Sequence, residues 1–470
     1  MSARRMKRGL TAPELFVGLV FVGIAVLACL SPAQSDTFWA LRAGEDIWRH
    51  GRVPLVDTYS YTAAGRPWPD HEWLWQALAY ALYRAGGFPL LTAGVAAAVT
   101  GAYAIAYRLM AGPWLLRIVL LLAALTLGTN VWSLRPQVAS LLLLALLLSL
   151  LVRGRLALIP PLFALWANLH GGVVLGGLVM VAATITAAIY DRRRLPALAL
   201  VTALGGAATL LTPLGVGLWT FIAHWMVAAR QTGVSEWDPV TPFTKEGIVF
   251  WILAAGLIAI AIKRWRRLET WPDRLLAITA LVLLAAAARA IRNVSPFLLV
   301  GAAAASRLLF PASSRTPGPA GAGAPARDRP RRPRHLVVLA AASAVAVAAI
   351  AACWSAPRAM LGWRPITPSA VAAIESCPGP LWNSYDVGGV LVWFVRDRPV
   401  FIDGRHDPYP PELIVEDGAV ERGADYRPLF RRYAVRCAAL ATNAILADNL
   451  RKDGWRPRFS DAEWTVLEAP

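Results

Sequence analysis

About eleven apolar runs, each closed by turn residues or a short basic cluster, leave this chain of 470 residues few ways to fold. They are Pro13–Leu30, Phe88–Tyr107, Trp114–Thr129, Val138–Leu151, Leu156–Asn168, Val173–Tyr190, Ala197–Leu211, Ile248–Ile262, Leu275–Ala288, Ser295–Leu309 and Leu336–Cys353. A straight span needs roughly 20 apolar residues, so several runs must recruit flanking residues to cross a bilayer. With 57% hydrophobic and only 16% charged residues, the composition is that of a polytopic α-helical membrane bundle.

The net charge of +18 would suit a nucleic-acid partner, but its distribution argues against one. Basic residues stand in clusters between the runs: Arg4, Arg5, Lys7 and Arg8; Arg153 and Arg155; Arg192–Arg194; Lys263, Arg264, Arg266 and Arg267; and Arg327–Arg334. All fall on one side if the amino terminus is cytoplasmic, as the positive-inside rule requires. The first run has Glu14 at its start and no small-residue cleavage site, and reads as a retained span. The expected location is the inner (plasma) membrane, multi-pass, with the carboxy-terminal domain extracytoplasmic. Loops 31–87, 130–137, 169–172, 212–247 and 289–294 then share the outer face.

This gives a membrane domain over 1–310 with a large first external loop at 31–87. Residues 311–335, rich in Pro, Gly, Ala and Arg, read as a disordered basic cytoplasmic linker. A last transmembrane helix covers 336–353, and 354–470 is expected to be a small soluble α/β domain. There Gly379–Tyr385, Val390–Phe394, Pro399–Asp403, Val435–Ala441 and Glu463–Leu467 read as strands, and Ala424–Ala434 as a helix. NSYDVGG (Asn383–Gly389) and FIDGRHD (Phe401–Asp407) put polar residues just past strands. The simplest reading makes Gly388, Gly389 and Gly404 turn glycines and has Asp386 and Asp407 satisfying backbone amides. Cys377 and Cys437 either pair across this domain or remain buried thiols. No cysteine–histidine spacing suggests zinc, and HEWLW (His71–Trp75) is not a zincin motif.

The outer loops carry the chemistry. Acids Asp36, Glu45, Asp46, Asp57, Asp70 and Glu72 stand in the first loop, with His71 between the last two. Asn168 and His170 mark a later turn, and Glu236 and Asp238 another. Arg42, Arg135, Arg289 and Arg292 lie on the same face. Arginines outside oppose the positive-inside trend, and the guanidinium fork suits phosphate or pyrophosphate. A carboxylate beside them would act as base on an acceptor hydroxyl or hold a divalent metal ion. Trp39, Trp68, Trp73 and Trp75 would stack on a sugar ring or form an interfacial belt.

An aspartate soon after the first span, a long first external loop and a second acid within it resemble the GT-C superfamily of membrane glycosyltransferases. SDTFWALRAGEDIWRHGRVPLVDTYSYTAAGRPWPDHEWL, SLRPQVAS (Ser133–Ser140), ALWANLHGG (Ala164–Gly172), ARAIRNVSPF (Ala288–Phe297), NSYDVGG and FIDGRHD are similar to a bacterial group of GT-C-like proteins. The resemblance covers most of the chain. It implies an inverting enzyme that moves a sugar from a polyprenyl-phosphate-type donor to an extracytoplasmic acceptor, a glycan, lipid or protein of the cell envelope. It maps the first-loop aspartate onto Asp36 and the second acid onto Asp70 or Glu72, with His71 among the catalytic candidates. Arg42, Glu45, Arg135, His170, Arg289 and Arg292 are the substrate-binding candidates. Ala40 stands where many relatives carry histidine. Branches of the superfamily differ in using a divalent metal, so the metal stays open. The competing reading is a non-enzymatic transporter or scaffold for envelope polysaccharide assembly. The spans lack the central acids and internal repeats expected of a transporter.

Overall fold

The computed structural model describes residues 9–228, 235–311, 331–355 and 366–470. Most of the 311–335 segment therefore lies outside the described residues. Each apolar run is helical. α1 (Ala12–Cys29) is followed by α2 (Ser35–His50), α3 (Trp73–Leu109), α4 (Trp114–Gly128), α5 (Gln137–Arg153), α6 (Ile159–Leu169) and α7 (Val173–Tyr190). Then come α8 (Leu195–Ala208), α9 (Gly217–Ala228), α10 (Lys245–Arg264), α11 (Trp271–Arg289), α12 (Val294–Leu309) and α13 (Pro333–Ser355). Among the described residues, six helices are long and apolar enough to cross a membrane: α1, α3, α7, α10 with its 3-10 extension, α11 and α13. The chain is a multi-pass membrane protein; the fuller count of eleven spans also requires the shorter helices to cross.

Local sequence explains the helix ends. Thr11 and Glu14 form a reciprocal capping box at the start of α1. In α3 the axis breaks at Gly86-Gly87, where Gly87 has φ +64°, with Pro89 just beyond. An amphipathic segment thus precedes the membrane segment, whose start agrees with the apolar run at Phe88. α2 carries a mostly polar sequence with one apolar face and packs along α3 and the tail.

The basic loops gather at one end of the bundle. There Arg194 lies over the Trp271 ring, Arg274 over Tyr190, and Arg117 over Tyr107. Arg307 Nη1 pairs with the buried Asp273 carboxylate at 2.7 Å. The five loops assigned to the opposite face meet at the other end, around one cavity. That grouping agrees with the alternation of the runs.

The tail is an α/β unit: α14 (Pro368–Glu375), β1 (Leu381–Asn383), α15 (Tyr385–Phe394), α16 (Pro411–Glu421), α17 (Arg427–Arg432), β2 (Cys437–Ala441), α18 (Ile445–Lys452), β3 (Arg456–Ser460) and β4 (Trp464–Glu468). Its sheet runs β1-β2-β4-β3, with β1 parallel to β2 and the other pairs antiparallel. Cys377 and Cys437 form a disulfide, with Cα atoms 6.1 Å apart. Two expected strands are absent. Val390–Phe394 is the second half of α15, whose apolar residues pack on α2. Pro399–Asp403 is extended but joins no sheet, because its backbone pairs with the first loop. Val400 N donates to Tyr59 O at 2.9 Å, and Tyr61 N donates to Val400 O at 3.1 Å. The tail is thereby stitched to the loop rather than hung from the bundle.

Candidate functional site

The cavity between the loop end of the bundle and the tail has a volume of ≈ 1130 Å³. Asp36 enters it from the first turn of α2, where its negative charge suits the helix N-terminus. Its Oδ1 accepts from Trp39 Nε1 at 3.1 Å, one helical turn on, and its Oδ2 pairs with Arg135 Nη2 at 3.1 Å. Burial raises the Asp36 pKa above the usual carboxylate value, while Arg135 and the Trp39 hydrogen bond work against that rise. Arg135 also pairs through Nη1 with Glu236 Oε1 at 2.7 Å, so it bridges two acids from separate loops.

The second acid cluster precedes α3. Glu72 Oε1 lies 3.5 Å from His71 Nε2 and 3.6 Å from His170 Nε2. Burial opposes the Glu72 charge, but the His71 hydrogen bond and charge overcome it and hold Glu72 at about 2. The converse holds for His71: burial favours the neutral ring, yet Glu72, Asp407 and Asp70 lift it to about 9. His170 behaves differently, because burial outweighs Glu72 and lowers it to about 3. Its Nδ1 accepts from the Gly172 N–H at 3.2 Å and faces Ser140 Oγ at 2.7 Å. Ser140 Oγ itself accepts from Trp166 Nε1 at 2.7 Å, leaving its proton for the imidazole. These contacts make Nδ1 an acceptor and leave Nε2 between the Glu72 carboxylate at 3.6 Å and the Arg292 guanidinium, itself only a donor.

Arg292 reaches the cavity from the turn after α11, its guanidinium 4.5 Å from the Trp237 ring centre and its Nη2 3.4 Å from His170 Nε2. Arg289 also lines the cavity, is exposed, and has no ion pair or hydrogen bond among the described residues. Asp70 lines it as well, but is buried. Arg42 and Glu45 lie elsewhere. Arg42 sits 3.6 Å from both Glu45 and Asp46, and Glu45 takes Arg49 at 2.7 Å and Arg396 of the tail at 2.8 Å. They join α2 to its neighbours and, unlike the other expected substrate-binding residues, do not line the cavity. Of the tryptophans, Trp39, Trp68 and Trp75 line it and Trp73 does not; Trp73 Nε1 donates to Asn168 Oδ1 at 2.7 Å.

The tail supplies one wall, which the sequence reading did not place there. Asp407 Oδ2 faces His71 Nδ1 at 4.0 Å, and burial raises Asp407 to about 7. Gly404 lies in a turn, as expected, whereas Gly388 and Gly389 lie inside α15; none of the three has a positive φ. They are sites of close approach. A Cβ on Gly404 would lie 2.1 Å from Asp36 Oδ1, and one on Gly389 would lie 2.2 Å from Ser35 O. The Gly389 N–H donates to Ser35 Oγ at 3.0 Å, and the Tyr385 hydroxyl donates to Gly404 O at 3.0 Å. Arg405 locks the contact. Its fully buried guanidinium holds Asp403 through two bonds of 2.8 and 2.7 Å and Asp57 of the loop at 2.6 Å. It lies near the Tyr59 and Trp68 rings, 4.8 and 4.7 Å from their centres. The GG of NSYDVGG and the DGRHD of FIDGRHD were the available signals.

Among the described residues no group of three or more His, Cys, Asp or Glu side chains is arranged to hold a metal ion. Two of the cavity acids are instead matched to cationic partners, Asp36 to Arg135 and Glu72 to His71. This donor set does not fit a divalent ion, and no step below passes through one.

No family model and no curated protein matches the chain. Solved structures do. ArnT from Cupriavidus metallidurans bound to undecaprenyl phosphate aligns with a TM-score of 0.53 at 14% identity, over 97% of this chain and 98% of that one. The oligosaccharyltransferase AglB from Archaeoglobus fulgidus, in complex with an inhibitory peptide and a dolichol-phosphate, aligns with a TM-score of 0.50 at 12% identity, over 91% of this chain and 70% of that one. Both are GT-C membrane glycosyltransferases, and the fold of this chain is the GT-C fold.

Proposed function

We propose that the chain is a membrane glycosyltransferase that moves a sugar from a polyprenyl-phosphate-type donor to an acceptor of the cell envelope, on the extracytoplasmic face. The observation that carries this reading is a half-buried carboxylate, Asp36, sharing one cavity with Arg289 and Arg292 in a fold whose solved neighbours bind undecaprenyl phosphate or dolichol-phosphate. The Cys377–Cys437 disulfide supports an oxidising compartment for the tail.

The reaction is a single displacement. The acceptor hydroxyl gives its proton to Asp36 as its oxygen attacks the anomeric carbon. The bond from that carbon to the phosphate oxygen breaks, its electrons leave with the polyprenyl phosphate, and configuration inverts. Arg135 keeps Asp36 ionised and oriented, while burial keeps the carboxylate basic enough to take the proton. Arg289 and Arg292 meet the charge that develops on the leaving phosphate. A second acid comes from the cluster that precedes α3.

The test uses the full chain in lipid nanodiscs with a panel of polyprenyl-phosphate-linked radiolabelled sugars. Asp36→Asn abolishes transfer while leaving the thermal unfolding profile intact. Arg292→Ala raises the KM for the donor. Undiminished transfer by Asp36→Asn would remove this residue from the mechanism.

A further inference from the structure

Two buried oxygens, one on the cavity-lining Asp70 and one on its hydrogen-bond partner Gln76, have nothing to accept from. Asp70 is 2% exposed and Gln76 fully buried. Gln76 Nε2 donates to Asp70 Oδ1 at 2.6 Å. Asp70 Oδ2 and Gln76 Oε1 have no hydrogen-bond partner, and solvent does not reach them. An orphaned buried acceptor costs about 1–3 kcal/mol, and two in one pair are seldom tolerated. Turning the Gln76 amide over would only set its oxygen against Oδ1. One proton on the carboxyl resolves both, because a protonated acid donates where a carboxylate cannot.

We propose that Asp70 and Gln76 form a neutral acid–amide pair, in which Asp70 Oδ2–H donates to Gln76 Oε1 while Gln76 Nε2–H donates to Asp70 Oδ1. Asp70 is then a positioning residue and Glu72 the working second acid, an assignment that rests on the glycosyltransferase reading. The pair spans the turn into α3, and Asp70 Oδ1 also accepts from the Glu72 backbone N–H at 3.4 Å. It therefore fixes the backbone that aims Glu72 at His71 and His170. The surrounding charges agree. Burial and, less strongly, Glu72 raise Asp70, His71 and the Gln76 bond pull it down, and the net is about 7. Asp407, across His71 in the tail, is the remaining titratable group in this set, and Asp70 in turn raises its pKa. With Glu72 ionised beside His71, a second buried anion at Asp70 would add repulsion without adding a partner.

Asp70→Asn tests this directly, because asparagine reproduces both bonds without a charge. The variant keeps sugar transfer within a few-fold of wild type, whereas Glu72→Gln loses it. Loss of transfer in Asp70→Asn with folding preserved would overturn the assignment. A second measurement does not depend on activity. Infrared difference spectra of wild type minus Asp70→Asn, in mildly acidic buffer, show a protonated-carboxyl band that fades as pH rises through about 7. Recording both spectra in an Asp407→Asn background removes the Asp407 contribution, which would otherwise shift with the Asp70 charge. Absence of the band would overturn the neutral pair even if no donor were ever found. A band accompanied by no transfer from any variant or wild type would leave the pair standing and sink the glycosyltransferase reading instead.

Discussion

Gly404→Ala is the sharpest probe of how the tail builds the site. The added methyl would start 2.1 Å from Asp36 Oδ1, 3.3 Å from its Cγ and 3.6 Å from Trp39 Nε1. Ordinary carbon–oxygen contact needs upward of about 3 Å, so carboxylate or tail must yield by about 1 Å. The tail resists, because Tyr385 bonds the Gly404 carbonyl and Arg405 is fixed to loop and tail acids alike. The carboxylate resists because Arg135 and Trp39 hold both oxygens. Overpacking of this kind costs roughly 1–3 kcal/mol of stability. A reacting group displaced by about 1 Å costs on the order of 100-fold in rate. The assay pairs kcat for transfer with urea or thermal unfolding of Gly404→Ala, Asp36→Ala and the double variant. Removing the carboxylate makes room for the methyl, so the two stability losses are sub-additive by about 0.5–3 kcal/mol. Additive losses, or wild-type kcat in Gly404→Ala, would refute the contact as the reason for glycine.

Further outcomes follow from the same geometry. Arg405→Met leaves Asp403 and Asp57 buried without their cation; it destabilises tail docking by about 3–5 kcal/mol, read by earlier proteolytic release of the tail. Transfer falls on the acid side as Asp36 takes up a proton, at a pH above the usual carboxylate range because burial raises this group. Glu72 at about 2 and His170 at about 3 do not titrate in that window, but Asp70 and Asp407 at about 7 do, so the profile is compared in an Asp70→Asn, Asp407→Asn background that leaves Asp36 as the titrating acid. Arg135→Gln removes the charge that opposes the rise and moves the limb to higher pH; an unmoved limb would sever Asp36 from the profile. Alkaline phosphatase fused after Pro470 is active and the same reporter after Arg193 is not; the reverse pattern would invert every loop.

Much of the bundle was legible because each apolar run needs a helix to satisfy its backbone in lipid. The sharing of one face by the outer loops was legible from charge alone. Side-chain direction was less so, although the signal was there. Asp36, Trp39 and Ala40 are three and four residues apart and share a stripe, whereas Arg42, Glu45 and Arg49 fall on another. Reading α2 as a helix rather than a loop would have separated binding candidates from braces. In the tail, VLVWF at Val390–Phe394 is too short for period to tell helix from strand. β3 escaped notice because RPRFS has the charges and proline of an edge strand rather than an apolar alternation. The role of FIDGRHD was hidden for another reason: Gly404 and Asp407 acquire meaning only against Asp36 and His71, which are distant in sequence.

The docking of the tail also sets a timetable. A chain made from its amino terminus places α1 and α2 first, and later units form as they emerge. Until the last helix has inserted and the segment around Gly404 has arrived, Asp36 stands on a helix with one face bare. The nascent protein holds its carboxylate early and its cavity wall late. A truncation just before Gly404 leaves a complete bundle with an open site. A stop before Gly404 therefore costs the cavity its wall even though every helix of the bundle has been made.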